Sequence, residues 1–166
     1  MNQQLIVSRI VVVVSLIATT GLVHAQSNFS GSWAFRDQQS ISGTLYSNGS
    51  PKSVAIAQDS KTISITKVTA GNDSDVTSTE TVSFDGKPTE TTTASKRKKS
   101  ITCQWSADKK TFTEIALVFD ATDSTKLYFR TTDAWSLDNG KLVLDRKAEN
   151  QSNGEVWESK ATYDKK

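Results

Sequence analysis

A turn unit that recurs four times restricts this chain more than any other feature. In Ile56-Ala57-Gln58-Asp59-Ser60-Lys61-Thr62-Ile63, an apolar residue is followed three positions later by Asp, then by polar residues, then by a second apolar residue. Trp105-Ser106-Ala107-Asp108-Lys109-Lys110-Thr111-Phe112 and Trp135-Ser136-Leu137-Asp138-Asn139-Gly140-Lys141-Leu142 align with all eight positions, and Val82-Ser83-Phe84-Asp85-Gly86-Lys87 fits the first six. An Asp where a turn begins caps it through its side chain, and Gly86 and Gly140 tolerate positive φ. The four aspartates stand 26, 23 and 30 residues apart, the length of one two-strand hairpin with its connections. Such a chain is built from hairpins.

The runs between the turns alternate. Ile101, Cys103 and Trp105 stand against Thr102 and Gln104, and Ile63 and Ile65 against Ser64 and Thr66. Period-two patterning of this kind gives each strand one wet and one buried face. The spacing predicts strands over 53–58, 62–69, 76–84, 89–94, 98–106, 111–120, 126–132, 134–137, 141–146 and 155–163, besides an opening strand. Ser and Thr are abundant and Pro occurs twice, a composition suited to an exposed β surface. Nothing after residue 25 has helical periodicity. Residues 36–51, rich in Ser, Gly, Asn and Gln, read as a connection, a helical turn or a lid, with a turn at Asn48-Gly49. The fold class is all-β: an antiparallel up-and-down β-barrel of about eight to ten strands, with a β-sandwich as the alternative.

The opening strand starts in Asn28-Phe29-Ser30-Gly31-Ser32-Trp33-Ala34-Phe35. Trp33 and Phe35 share one face, and Gly31 lets the chain bend into the strand. Phe29-Ser30-Gly31-Ser32-Trp33 resembles the Phe-x-Gly-x-Trp opening of the lipocalins and fatty-acid-binding proteins, the calycin group. The resemblance covers residues 28–35 directly. It implies a lipocalin-like barrel whose closed end is plugged by Trp33. It also implies structural roles for Gly31 and for Arg146, a late basic residue laid across the Trp33 ring.

Residues 1–25 differ from the rest. Arg9 is their only charged side chain, the run 10–17 is apolar apart from Ser15, and Val23-His24-Ala25 places small residues at signal-peptidase offsets. This reads as a secretory signal peptide over 1–25, cleaved after Ala25, with no membrane span left in the product. The remaining 141 residues form one domain, 26–166, in a secreted or periplasmic protein. That domain carries 19 basic and 18 acidic residues, a balance that argues against general nucleic-acid binding. With Cys103 alone, no internal disulfide forms. The expected state is a monomer.

The chemistry missing from the chain bears on function. Its single histidine, His24, leaves with the signal peptide. The domain then has no imidazole base, no Ser-His-Asp or Cys-His pairing, and none of the commonest metal ligand. Cys103, in phase with Ile101 and Trp105, reads as a small buried hydrophobe. Residues 70–75 hold two carboxylates in a turn without the spaced ligands of a calcium loop. Lys96-Arg97-Lys98-Lys99 reads as a solvated hairpin tip or a protected edge. The expectation is a protein that is not an enzyme and has no cofactor and no metal.

The apolar alternates expected to point inward are Trp33, Phe35, Ile56, Ile63, Ile65, Phe84, Trp105, Ile115, Leu117, Phe119, Trp135, Leu142 and Leu144. Trp105, Trp135 and Phe119 are candidate ligand-binding residues. The calycin resemblance adds Tyr128 and Arg130, late-strand residues placed to hold a ligand carboxylate. The functional expectation is an exported, lipocalin-like protein that binds a small apolar or amphipathic ligand. The alternative is an envelope or secreted interaction domain with a filled core.

Overall fold

Consecutive strands pair antiparallel everywhere but at one of the four Asp turns. The structure, a computed structural model, describes residues 25–44 and 49–166. Its strands are β1 (Gly31–Ser42), β2 (Ser53–Gln58), β3 (Thr62–Ala70), β4 (Asp75–Ser83), β5 (Thr89–Thr92), β6 (Lys98–Trp105), β7 (Thr111–Phe119), β8 (Leu127–Asp138), β9 (Lys141–Asn150) and β10 (Val156–Lys165). They form one sheet in the order β4-β3-β2-β1-β10-β9-β8-β7-β6-β5. First and last strands pair, with Trp33 opposite Lys165. The edge strands β4 and β5 lie side by side without pairing, and an ion pair from Lys99 on β6 to Glu80 on β4 spans this seam. The result is an all-β, nearly closed antiparallel barrel; the sandwich is not formed. The expected signal peptide falls on residues 1–24, outside the described residues, apart from Ala25.

The four Asp turns connect β2–β3, β4–β5, β6–β7 and β8–β9, so all four lie at one end of the barrel. Asp59 accepts from the backbone of Lys61 and Thr62 at 2.7 Å each, Asp85 from Lys87 at 3.0 Å, and Asp108 from Lys110 at 3.1 Å. Asn139 and Gly140 take φ of 48° and 78°, the left-handed pair of a tight hairpin. Residues 25–30 cross beneath this end. The Gln58 side chain bonds the Phe29 amide and the Ser27 carbonyl, and Ser27 donates to the Lys109 carbonyl. Gly31 has φ of 142°, and a Cβ there would lie 3.1 Å from Lys165 Cε, so the bend into β1 requires glycine.

Trp33, 3% exposed, closes this end, its indole N–H donating to the Phe29 carbonyl at 3.1 Å. Phe29 packs edge-on to Phe112 at 4.9 Å and tilts against Trp105 at 5.7 Å, with Phe84 beyond at 5.2 Å from Trp105. Above this aromatic floor Val54, Ile56, Ile63, Ile65, Val82, Ile101, Leu142 and Leu144 complete the core.

Four expectations are corrected. Ile115, Leu117 and Phe119 face outward, because β7 turns Phe112, Glu114 and Ala116 inward. The more apolar phase of β7 is thus the outer one, since Glu114 is needed inside. Phe35 shares the inner face, directly opposite Tyr163 with the rings 5.9 Å apart, but stands 40% exposed instead of sealed in the core. The strands expected over 126–132 and 134–137 are one strand, β8. Asp133 does not interrupt it but points inward to a basic partner. Finally, β1 runs to Ser42 instead of ending at Phe35, carried across two register shifts by its pairing with β10, with no helical turn over 36–44. Asn48 lies outside the described residues.

Candidate functional site: a charged layer inside the barrel

Lys67 sits in phase with Ile63 and Ile65 on β3, Glu114 with Phe112 on β7, Asp133 with Trp135 on β8, and Arg146 with Leu142 and Leu144 on β9. Strand parity therefore sends all four charged side chains to the inner face. Their side chains are 10%, 3%, 1% and 16% exposed. Unpaired charges so deeply withdrawn from water would be untenable, and each has a partner. Lys67 Nζ donates to both Glu114 oxygens at 2.8 and 3.0 Å and lies 3.8 Å from Asp133. Arg146 meets Asp133 with two prongs, Nε to Oδ1 at 2.8 Å and Nη2 to Oδ2 at 2.6 Å. Its third nitrogen, Nη1, donates to the Gly49 carbonyl, tying the β1–β2 connection to the barrel wall.

Burial opposes the charge on Lys67, but the Glu114 and Asp133 carboxylates outweigh it and hold the ammonium above its usual range. Burial likewise opposes the Asp133 carboxylate, and the Arg146 guanidinium outweighs it and holds the carboxyl low. Arg146 is raised in turn by Asp133. Lys67, Asp133 and Arg146 are thereby held in their ionised forms.

Uncharged polar groups border these pairs. Trp135, fully buried, holds its ring 5.8 Å from Lys67 Nζ and 6.3 Å from Tyr163. Ser50 lies beside the Tyr163 phenol, and burial pushes that phenol up. The indole nitrogen of Trp135 is buried without a hydrogen-bond partner, and the Tyr163 and Ser50 hydroxyls, also buried, have only each other. These groups leave hydrogen-bonding capacity unused beside the charged layer.

The sequence candidates divide. Trp135 belongs to this layer, while Trp105 belongs to the aromatic floor. Phe119 is on the outer face, where Lys98 Nζ lies 5.3 Å from its ring. Tyr128 carries the Arg97 guanidinium 3.9 Å from its ring. Arg130 pairs with Leu117 of β7 on the outer face and reaches Glu149 at 3.7 Å, so it does not face the interior. Arg146 does not cover Trp33; that position is taken by Lys165, 5.5 Å from the ring centroid. Lys67, Glu114, Asp133, Tyr163 and Ser50 were not singled out in the sequence. Their signal was a charged or polar residue in phase with core neighbours, which ordinary pattern reading treats as a break. The basic run 96–99 is no single patch. Arg97 and Lys98 contact Tyr128 and Phe119, and Lys99 turns inward to Glu80.

No protein-family profile matches the chain, and no curated protein matches it. Among solved structures it is similar to the zebrafish ileal bile acid-binding protein complexed with cholic acid, at 16% identity and a TM-score of 0.49, over 83% of this chain and 98% of that one. It is also similar to the fatty-acid-binding protein isolated from Manduca sexta, at 13% identity and a TM-score of 0.49, over 82% of this chain and 99% of that one. At these values the likeness fixes neither a family nor a ligand.

Proposed function

We propose that this chain is an exported, non-catalytic barrel of calycin type that binds one small amphipathic molecule at the charged layer, between the aromatic floor and the opposite end. The observation that carries this reading is a set of buried, under-satisfied neutral groups beside fully paired charges: the unpartnered Trp135 indole N–H, and the Tyr163 and Ser50 hydroxyls, which have only each other. An apolar wall with a few convergent polar groups is the general form of a small-molecule site. Export rests on the apolar segment before Ala25.

One observation favours the filled-core alternative: the inward alanines 116, 148 and 161 are no more than 4% exposed, so the barrel packs closely around this layer. The two readings part on a direct test. Protein purified from its native host is denatured and its small molecules are extracted for mass spectrometry. Binding gives a defined amphipathic compound in near-stoichiometric amount; an empty extract favours the interaction domain.

A further inference from the structure

The inward phases of β3, β4, β6, β7, β8 and β9 carry three cations and three anions: Lys67, Lys99 and Arg146 against Glu80, Glu114 and Asp133. Every cation is already engaged by a carboxylate of the chain itself. The Arg146 guanidinium has no spare edge, since its third nitrogen is held by the Gly49 carbonyl. An anionic headgroup entering this layer would find no vacant cation and would meet Glu114 and Asp133. Displacing either would strand a charge away from water. The polar groups with hydrogen-bonding capacity to spare are uncharged: the Trp135 indole N–H, which has no partner, and the Tyr163 and Ser50 hydroxyls, which have only each other. They offer hydrogen bonds to a neutral oxygen, and none supplies charge.

Resting on the binding reading above, we infer that the site selects an uncharged amphiphile, one bearing a hydroxyl, carbonyl or ester oxygen on an apolar body, and rejects the matching carboxylate. The chain's own acids occupy the positions an acid ligand would need. Selectivity here comes from carboxylates built into the wall, so it is open to reversal by removing one.

The test uses the chain from Gln26 to Lys166 and a matched pair of probes, 1-dodecanol and dodecanoate, titrated at neutral pH and followed by tryptophan emission and thermal midpoint. Dodecanol should bind at least about tenfold tighter, the equivalent of one charge-assisted hydrogen bond unmade. Dodecanoate binding as tightly as or tighter than dodecanol overturns the inference while leaving the binding reading intact. No saturable response to either probe, or to a wider panel of neutral and anionic amphiphiles, overturns both. Glu114→Gln then leaves Lys67 with only its longer 3.8 Å contact to Asp133 and should raise dodecanoate affinity about tenfold with little change for dodecanol. A folded Glu114→Gln protein, checked by near-UV circular dichroism, whose dodecanoate affinity is unchanged shows that the paired charges do not set the selectivity.

Discussion

Asp133 and Arg146 face each other across β8 and β9, at directly paired register positions, and close a two-pronged ion pair inside the barrel at 2.8 and 2.6 Å. The pair joins the wall to the β1–β2 connection through Gly49 and to β3 through Lys67. Breaking one side leaves a buried charge uncompensated. Asp133→Ala should therefore destabilise the domain by about 3–5 kcal/mol, whereas the double change Asp133→Leu with Arg146→Met should be distinctly less harmful. Urea melts of the three proteins check this. A double variant as unstable as the single one would show that the layer contributes more than its own charge balance.

Trp33 is the plug of the closed end. Its ring is nearly inaccessible and its N–H is bonded to Phe29. Trp33→Ala should lower stability by about 3–5 kcal/mol. Lys165→Met, which removes only the exposed cation over the same ring, should change it by about 1 kcal/mol or less. Chemical denaturation separates the two effects.

Stability should form a plateau with two limbs. The Asp133 carboxyl is held below its ordinary 3.8, so its contribution is present above about pH 4 and is lost as pH falls through the folded value. On the alkaline side burial, with help from Glu114, pushes the Cys103 thiol from 9.0 to about 12. The unfolded chain then loses its proton first, and stability declines from about pH 9 upward. Tyr163, raised above 10.0 by burial, acts in the same direction from about pH 10. The Lys67 contribution is complete below 10.5 and is lost as pH rises through its raised folded value. Cys103→Ala should move the alkaline onset up by about one pH unit. An onset that stays at pH 9 in this variant assigns the limb to another group.

Arg130 lies on the outer face with Glu149. Arg130→Gln should leave ligand affinity unchanged and alter stability by about 1 kcal/mol or less. A clear loss of affinity would place the ligand outside the barrel.

The hairpin architecture was legible because it rests on local rules. Asp59, Asp85 and Asp108 cap their turns through their own side chains, and Trp33 closes one end as its flanking Phe29 and Gly31 suggest. The charged layer was harder to read, because its logic is not local. Lys67 is tolerable inside only because Glu114, forty-seven positions away in sequence, arrives on the same face. Read alone, each looks like a surface residue or a strand break. Asp133 therefore reads as a break in β8, and the apolar phase of Ile115, Leu117 and Phe119 as the inner one. Arg130 was misplaced for a related reason: alternation gives relative facing along a strand, and only the register with Leu117 shows that its phase is the outer one.

Equilibrium titration of the 26–166 domain with a neutral amphiphile, read by tryptophan emission and thermal midpoint together, tests the central claim most directly. Trp135 borders the charged layer, so binding there should change emission saturably with one site per chain, and the change should be lost in Trp135→Phe. The same complex should gain about 2.7 kcal/mol of stability at a hundredfold excess over Kd. Emission and thermal midpoint that both stay fixed across the panel, in protein first stripped of endogenous ligand, would contradict a binding role for this barrel.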